Sequence, residues 1–286
     1  MRETAVGTAA AAERAVRSSE NPKNQVQSVA KAFAVLKAFG QDLPALTIAE
    51  VALRASLDRG TAFRLIQTLA GLGYLRPVPD GRRYRLTLKC LELGFSALSA
   101  DDLPGHAEPL LRDAVPAIAD AASLGVLDRG EVVYLARVDA SLERIGVIRR
   151  PGSRIGAYAT ALGQAILAWL PRNEQVAHLD SVARVKLSER TLTDLDTLLA
   201  RLAEVRARGY AVSVGENAYG LVTVAAPVFD QGGAPCAGVS LTVNAGRMAS
   251  DAFIATAAPR VMHLARELSE GIRLSLGAIG IRGGAR

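Results

Sequence analysis

Between residues 27 and 87, three short apolar periods of helical spacing are followed by a basic hairpin, and few folds accommodate that order. Val29, Phe33, Leu36 and Phe39 form the first period, and Gly40 ends it. Thr47-Ile48-Ala49-Glu50 reads as a capping box, in which the Thr47 hydroxyl takes the Glu50 backbone N–H and the Glu50 carboxylate reaches back. A short helix with Val51 and Leu53 follows, then a turn at Ser56-Leu57-Asp58. Asp58 caps a third helix, Arg59 to Ala70, whose apolar face is read as Phe63, Ile66 and Leu69. Tyr74 to Pro77 leads into a turn at Pro79-Asp80-Gly81, and Arg82-Arg83-Tyr84-Arg85-Leu86 leads out. Three helices with a tight turn between the second and third, closed by a hairpin, make a winged helix-turn-helix.

The polar groups of this segment suit double-stranded DNA. On the third helix, Arg59, Thr61, Arg64 and Gln67 lie opposite the apolar face; Arg matches guanine, Gln matches adenine, and Thr offers a hydroxyl and a methyl. Gly60 allows close backbone approach. Arg82, Arg83 and Arg85 at the wing suit phosphates or a narrow minor groove, and Ser28, Lys31 and Thr47 suit phosphate positioning. Each feature alone would equally describe a solvated surface. Charge adds weight: residues 1–90 carry 14 Lys and Arg against 7 Asp and Glu, whereas the remaining 196 carry 20 against 21.

The rest of the 286-residue chain is long enough for a second domain. A helix is predicted through Leu98, and Asp101-Asp102-Leu103-Pro104-Gly105 is read as the break between domains. Beyond it, helices are predicted at about 107–121, 160–170 and 172–180, from Thr193 or Asp194 to Arg208, and from Ser250 to about Leu274. Strands are predicted at about 124–128, 131–138, 143–149, 210–214, 221–229 and 236–243, with hairpin turns at Asp128-Arg129-Gly130 and Asp230 to Gly233. Strands interleaved with helices and hairpins give an α+β or α/β sensor-type domain.

QSVAKAFAVLKAF, LTIAEVALRASLDRGTAFRLIQTLAGLGYL and DGRRYRLTLKCLELG resemble the DNA-binding head of the isocitrate lyase regulator (IclR) family. LDRGEVVYLARV, YATALGQAILAWLP, LAEVRARGYAV and AAPVFDQGGAPCAGVSLTV are similar to its effector domain, so the resemblance spans roughly 26 to 275. The wing and the AYAT element look most like the branch governing protocatechuate and β-ketoadipate catabolism. The resemblance implies an α+β fold: an N-terminal winged helix-turn-helix, a linker helix and a C-terminal GAF/PAS-like domain with a central antiparallel sheet. It divides the chain into a tail at 1–24, a DNA-binding domain at 25–87, a linker helix at 88–103, an effector-binding and oligomerisation domain at 104–276 and a tail at 277–286. It also implies a non-catalytic regulator, a homodimer or homotetramer on a palindromic operator, with RNA polymerase as a further partner; the two distant cysteines fit a reducing cytoplasm. The effector would be a small organic acid, aromatic or dicarboxylic.

Anion ligands are legible in the second domain without that resemblance. Ser240 and Thr242 share one strand face, Thr223 lies on the preceding strand, and Thr160 stands at a helix start. Arg137 and Arg154 are further partners for a carboxylate, although an Arg on a sheet edge is more often surface. By resemblance, effector contacts come from Ala161, Gly163, Leu221, Thr223, Ser240 and Thr242, with Ser213 where the family often has an acid. The chain departs from the family pattern at Gln164, where Arg or Lys is commoner, and at Gly215-Glu216, where one of two acids is lost.

Other functions find less support. GxSxG, GxxxxGK[ST], HExxH and a strand-borne GxGxxG are absent; Gly238 to Thr242 begins like a nucleophile elbow but lacks the second Gly. Cys90 and Cys236 lie far apart, and the three histidines, His106, His178 and His263, have no metal-ligand spacing, so no cofactor or metal is expected. No apolar run reaches the roughly 18 residues of a membrane span, and the N-terminal segment lacks a secretory pattern. A DNA-binding oligomer without an effector stays open as the alternative, with a small-molecule hydrolase behind it.

Overall fold

Two side-chain caps set the helices of the N-terminal unit. The Thr47 backbone N–H donates to Glu50 Oε2 at 2.7 Å while the Glu50 N–H reaches Thr47 Oγ1, completing the capping box. Asp58 Oδ1 accepts the Thr61 N–H at 2.8 Å. The computed structural model describes residues 26–40, 43–79, 81–93, 103–140 and 149–282, with side chains to residue 272. It divides into residues 1–99 and 100–286.

The first unit contains α1 (Gln27–Lys37), β1 (Leu46–Thr47), α2 (Ile48–Arg54), α3 (Arg59–Gly71), β2 (Leu75–Pro77) and β3 (Arg83–Leu86). β3 lies between β1 and β2 in an antiparallel wing. Val35, Phe39, Leu46, Val51, Ile66, Leu69 and Leu75 form its core. The expected apolar faces need correction: Val29, Phe33, Leu53 and Phe63 are 53%, 48%, 82% and 48% exposed. α1 turns Val35, Ala38 and Phe39 inward, and α3 turns Ala62, Ile66 and Leu69. Ala62, fully buried, takes the place expected of Phe63, which lies one residue, about 100°, round the helix.

Beyond the wing, residues 88–89 of the expected linker helix form a turn and 90–93 are helical; 94–102 lie outside the described residues. So do the tail at 1–24 and most of the predicted strand at 143–149. Leu103-Pro104-Gly105 does not break the chain but opens α4 (Leu103–Ala114). Pro104 sits in the first turn, where a missing N–H costs nothing. α4 stops before Pro116, short of the expected helix end at about 121, and β4 (Ala121–Asp128) begins three residues before the strand expected at about 124. Pairing on both edges overrides the helical preference of alanine there.

The second unit continues with β5 (Glu131–Asp139), β6 (Arg154–Gly156), a 3-10 turn (Ala157–Ala159), α5 (Ala161–Leu167), α6 (Arg172–Asp180) and α7 (Leu195–Arg208). β7 (Ala211–Val214), β8 (Leu221–Phe229), β9 (Pro235–Asn244) and α8 (Ser250–Arg282) complete it. Asp194, not Thr193, caps α7, and Gly209 ends it at φ +87°. α8 runs through most of the expected tail at 277–286. The antiparallel sheet has the order β6-β5-β4-β9-β8-β7. α4 and α8 bury one face through Leu111, Val224, Leu241, Phe253 and Val261. The 3-10 turn, α5 and α7 bury the other through Tyr158, Leu162, Leu199, Ala211 and Ala225. Trp169 packs edge-on to Phe229 at 4.9 Å, and His178 Nδ1 accepts the Gly130 N–H at 3.1 Å. Among the described residues, no helix is long and apolar enough to cross a membrane.

Candidate functional site

The N-terminal unit presents one polar helix face and one basic wing. Arg59, Gly60, Arg64 and Gln67 are exposed on α3, and Phe63 shares their face. Thr61 is half-buried beside its Asp58 cap; that hydrogen-bonding holds the Asp58 carboxyl below its ordinary range. Ser28 and Lys31 are exposed at the start of α1. Two expected contacts already have protein partners: the Thr47 hydroxyl donates to Glu50 at 2.8 Å, and Gln67 Nε2 donates to Tyr84 Oη at 2.9 Å, tying α3 to the wing. The Glu50 carboxyl is held low by its Thr47 hydrogen bonds first, with Arg83 adding to them.

Arg82, Arg83 and Arg85 are exposed on the wing, and the register adds Arg76, directly opposite Arg85. Like charges at directly opposed positions repel. A polyanion across them relieves that repulsion. The sequence hid Arg76 because cross-strand register depends on the whole hairpin.

In the C-terminal unit the sheet register builds a polar patch under α5. Arg137, Ser123 and Ser240 are cross-strand neighbours on β5, β4 and β9. Two residues along, Thr242, Thr223 and Ser213 are neighbours on β9, β8 and β7. Two-residue spacing keeps both rows on one face. Above them lies a partly open cavity of about 30 Å³, lined by both rows together with Tyr134, Arg149, Thr160, Ala161, Leu162, Asn217 and Leu221.

The cavity is rich in hydrogen-bond donors. The Arg137 side chain is 7% exposed; it donates to Ser123 Oγ at 2.9 Å and Asp139 Oδ2 at 2.7 Å. Its Nε is buried and has no hydrogen-bond acceptor among the described residues. Burial pushes the Tyr134 phenol up, against the pull of Arg149 and Arg137, so it remains a neutral donor at physiological pH. Thr223 and Thr242 hydroxyls share a 3.0 Å hydrogen bond.

Six of the seven residues expected to meet an effector, Ala161, Ser213, Leu221, Thr223, Ser240 and Thr242, line this cavity. Gly163 does not. Its N–H donates to Thr160 Oγ1 at 2.9 Å, and a Cβ there would stand 2.4 Å from the Ala157 backbone. It permits α5 to lie against the 3-10 turn. Arg154 is also elsewhere, paired with Asp128 and Glu131 at 2.6 and 2.7 Å. Gln164 and Glu216, where the chain departs from the family pattern, meet each other at 3.3 Å, and Glu216 also pairs with Arg201. Ser123, Tyr134, Arg149 and Asn217 were not singled out from sequence, since the register and the α5 packing that gather them are non-local. Among the described residues, His, Cys, Asp and Glu side chains form no group of three able to hold a metal.

Comparison with known proteins adds independent evidence. Residues 28–79 match the IclR helix-turn-helix domain, and residues 95–270 match the bacterial transcriptional regulator IclR C-terminal domain. The HTH-type transcriptional regulator KdgR of Escherichia coli is 35% identical over 219 residues, covering 77% of this chain and 82% of the relative. The Pca regulon regulatory protein of Pseudomonas putida is 32% identical over 242 residues, covering 84% and 82%. The solved structure of an IclR homologue from Microbacterium hydrocarbonoxydans, complexed with 4-hydroxybenzoate, superposes with a TM-score of 0.74 at 25% identity, covering 88% of this chain and 99% of the homologue. These relatives are transcriptional regulators rather than enzymes. A winged head in front of a helix-covered antiparallel sheet, matched by both family domains, shows that the chain belongs to the IclR family of DNA-binding transcriptional regulators.

Proposed function

We propose that this regulator binds a palindromic operator as a homodimer or homotetramer in the cytoplasm, and that a small organic acid in the sheet cavity controls its action on transcription, with RNA polymerase as a further partner. The observation that carries the acid is Arg137: a buried guanidinium whose Nε has no acceptor among the described residues, in a cavity ringed by hydroxyls. A guanidinium fork and clustered O–H donors are the natural complement of a carboxylate. The bound 4-hydroxybenzoate of the homologue supplies a precedent for an aromatic acid, and the sequence expectation also includes dicarboxylic acids. The acid acts only through a difference in its affinity for two states of the protein. The test is DNA binding at fixed salt to the region upstream of the regulator's own gene, with and without candidate acids. Specific binding or transcription that responds to one acid supports the reading; indifference to every acid class leaves a DNA-binding oligomer without effector.

On the DNA side, α3 enters the major groove and the wing grips the flanking backbone. Arg64→Ala is expected to lose about 1–3 kcal/mol of operator affinity and to relax sequence choice at one position. An equal loss on every sequence, measured by competition with mutated operators, would move Arg64 to the phosphates. Phe63→Ala is expected to weaken binding at a thymine-bearing site without lowering Tm, because an exposed Phe on this face reads a thymine methyl. A loss of stability instead would place Phe63 in the core. Arg76→Ala is expected to flatten the plot of log affinity against log salt by about 0.9 unit, the share of one phosphate contact. An unchanged slope would take the β2 side of the wing out of the interface.

A further inference from the structure

We propose a second small-molecule site in this regulator, at the open edge of β8, for a compact aromatic ring carrying one anionic group. It shares no lining residue with the sheet cavity, so it stands whichever compound that cavity takes. The site is an open cleft of about 220 Å³ between Trp169, Ala226, Pro227, Phe229, Met262 and Arg266. The edge is open because β7 is short. Its register ends with Ala211 opposite Ala225, so residues 226–229 of β8 have a neighbouring strand, β9, on one side only. α8 closes on that edge from one face of the sheet, and Trp169, just beyond α5, from the other.

The usual occupant of an open strand edge is another strand. Here the edge is blunted against one. Pro227 has no N–H to give, and the Phe229 N–H already donates to Ser269 Oγ at 2.9 Å. Ser269 is fixed in turn by donating to the Ala265 carbonyl at 2.7 Å. A chain laid along this edge finds no ladder of donors; a small molecule finds a slot.

The lining suits an aromatic ring. Trp169 and Phe229 meet edge to face with their centroids 4.9 Å apart, and Met262 adds a polarizable thioether. An apolar cavity of about 150 Å³ takes up benzene, so this cleft holds one ring with a small substituent. The charges select the substituent. No acidic side chain lines the cleft. Arg266 lines it and uses only its Nε, on the Met262 carbonyl at 3.3 Å. Arg206 stands over the Trp169 ring, 5.2 Å from its centroid, with one long bond to the Ala168 carbonyl at 3.4 Å. Glu204 and Glu267, on the same two helices, pair with Arg201 and His263, each at 3.6 Å. Neither Arg206 nor Arg266 has a carboxylate partner among the described residues. Trp169 Nε1 is buried and has no acceptor among the described residues either. One anionic group on the ring gives the indole an acceptor and the guanidinium groups a counter-charge.

The chain has one tryptophan, so the full-length protein labelled with 5-fluorotryptophan reports on this cleft through one fluorine resonance. Benzoate is expected to shift it saturably. Acetate, the charge without the ring, is expected not to move it. Benzyl alcohol, the ring without the charge, is expected to bind at least about fivefold more weakly, and Arg266→Gln to weaken benzoate by about the same factor, since Arg266 is exposed and an exposed ion pair is worth at most about 1 kcal/mol. Arg266→Gln is expected to leave benzyl alcohol binding unchanged. Arg137→Lys, which disables the sheet cavity, is expected to leave the benzoate shift intact. A shift abolished by Arg137→Lys belongs to the sheet cavity and overturns the inference. So does a resonance that benzoate does not move, or a benzoate affinity that Arg266→Gln leaves unchanged. A resonance that follows protein concentration instead of benzoate puts a second copy of the chain in the cleft and overturns it as well.

Discussion

Arg137→Met is expected to abolish the response to the acid while leaving operator affinity in its absence within about twofold. Methionine keeps most of the stem volume of arginine but removes the fork, the charge and the Nε donor. Truncating one member of a buried charge pair costs about 2–5 kcal/mol, which is about thirtyfold to several thousandfold in Kd. The substitution also takes a partner from Asp139, whose side chain is 12% exposed, so some stability is lost too. Arg137→Lys separates the two effects. Lysine retains the positive charge beside Asp139 but lacks the planar fork, so Tm recovers while acid binding stays weak. A Met variant that still responds at the wild-type acid concentration would remove Arg137 from the site. A Lys variant with full response would reduce its role to charge.

Gly163→Ala is expected to give the largest loss of stability. Its Cβ would lie 2.4 Å from both Cα and O of Ala157, and backbone atoms of a 3-10 turn cannot swing aside as a side chain does. Gly163 is on α5, which is buried along its entire length, so the helix must lift off the sheet to make room. Overpacking in a close-packed interior costs about 1–3 kcal/mol, and a clash against backbone belongs at or above the top of that range. For a unit of this size about 3 kcal/mol lowers Tm by about 6–12 °C. Thermal unfolding followed by the fluorescence of Trp169, the one tryptophan of the chain, measures it. If Gly163 instead met the effector directly, the alanine variant would keep its Tm and lose only acid binding.

These two residues show what a sequence makes legible. The helical head was readable because its signals are local: the capping box at Thr47 and Glu50, the Asp58 cap and the Arg-rich hairpin act within a few residues. The core-facing stripe of α3 was misread because side-chain volume was allowed to outweigh fit, and Ala62 occupies the inward place given to Phe63. Ser240, Thr242 and Thr223 were found because period-two alternation and a hairpin turn fix which residues share a face. Arg137 was discounted as a sheet-edge residue. Its burial comes from the α5 side of the sheet and from Asp139 and Ser123, which lie close only once the sheet has formed. Tyr134, Arg149 and Asn217 come from three parts of the chain, and only the folded sheet brings them together. Gly163 was carried over by resemblance as a ligand contact; its geometry gives it a packing role.

The sheet also fixes an order of events during synthesis. All its neighbouring strands follow one another in the chain except β4 and β9, where Ala121 pairs with Thr242 about 120 residues later. Arg137 and Ser123 therefore wait on the ribosome for Ser240, and the cavity has no second half until β9 has emerged. The head depends only on residues near one another in sequence, so it is complete and able to hold DNA well before. A nascent chain is thus a DNA-binding protein blind to the acid, and sensing is the last property it acquires. Premature termination between the wing and residue 244 yields a head without a complete acid cavity.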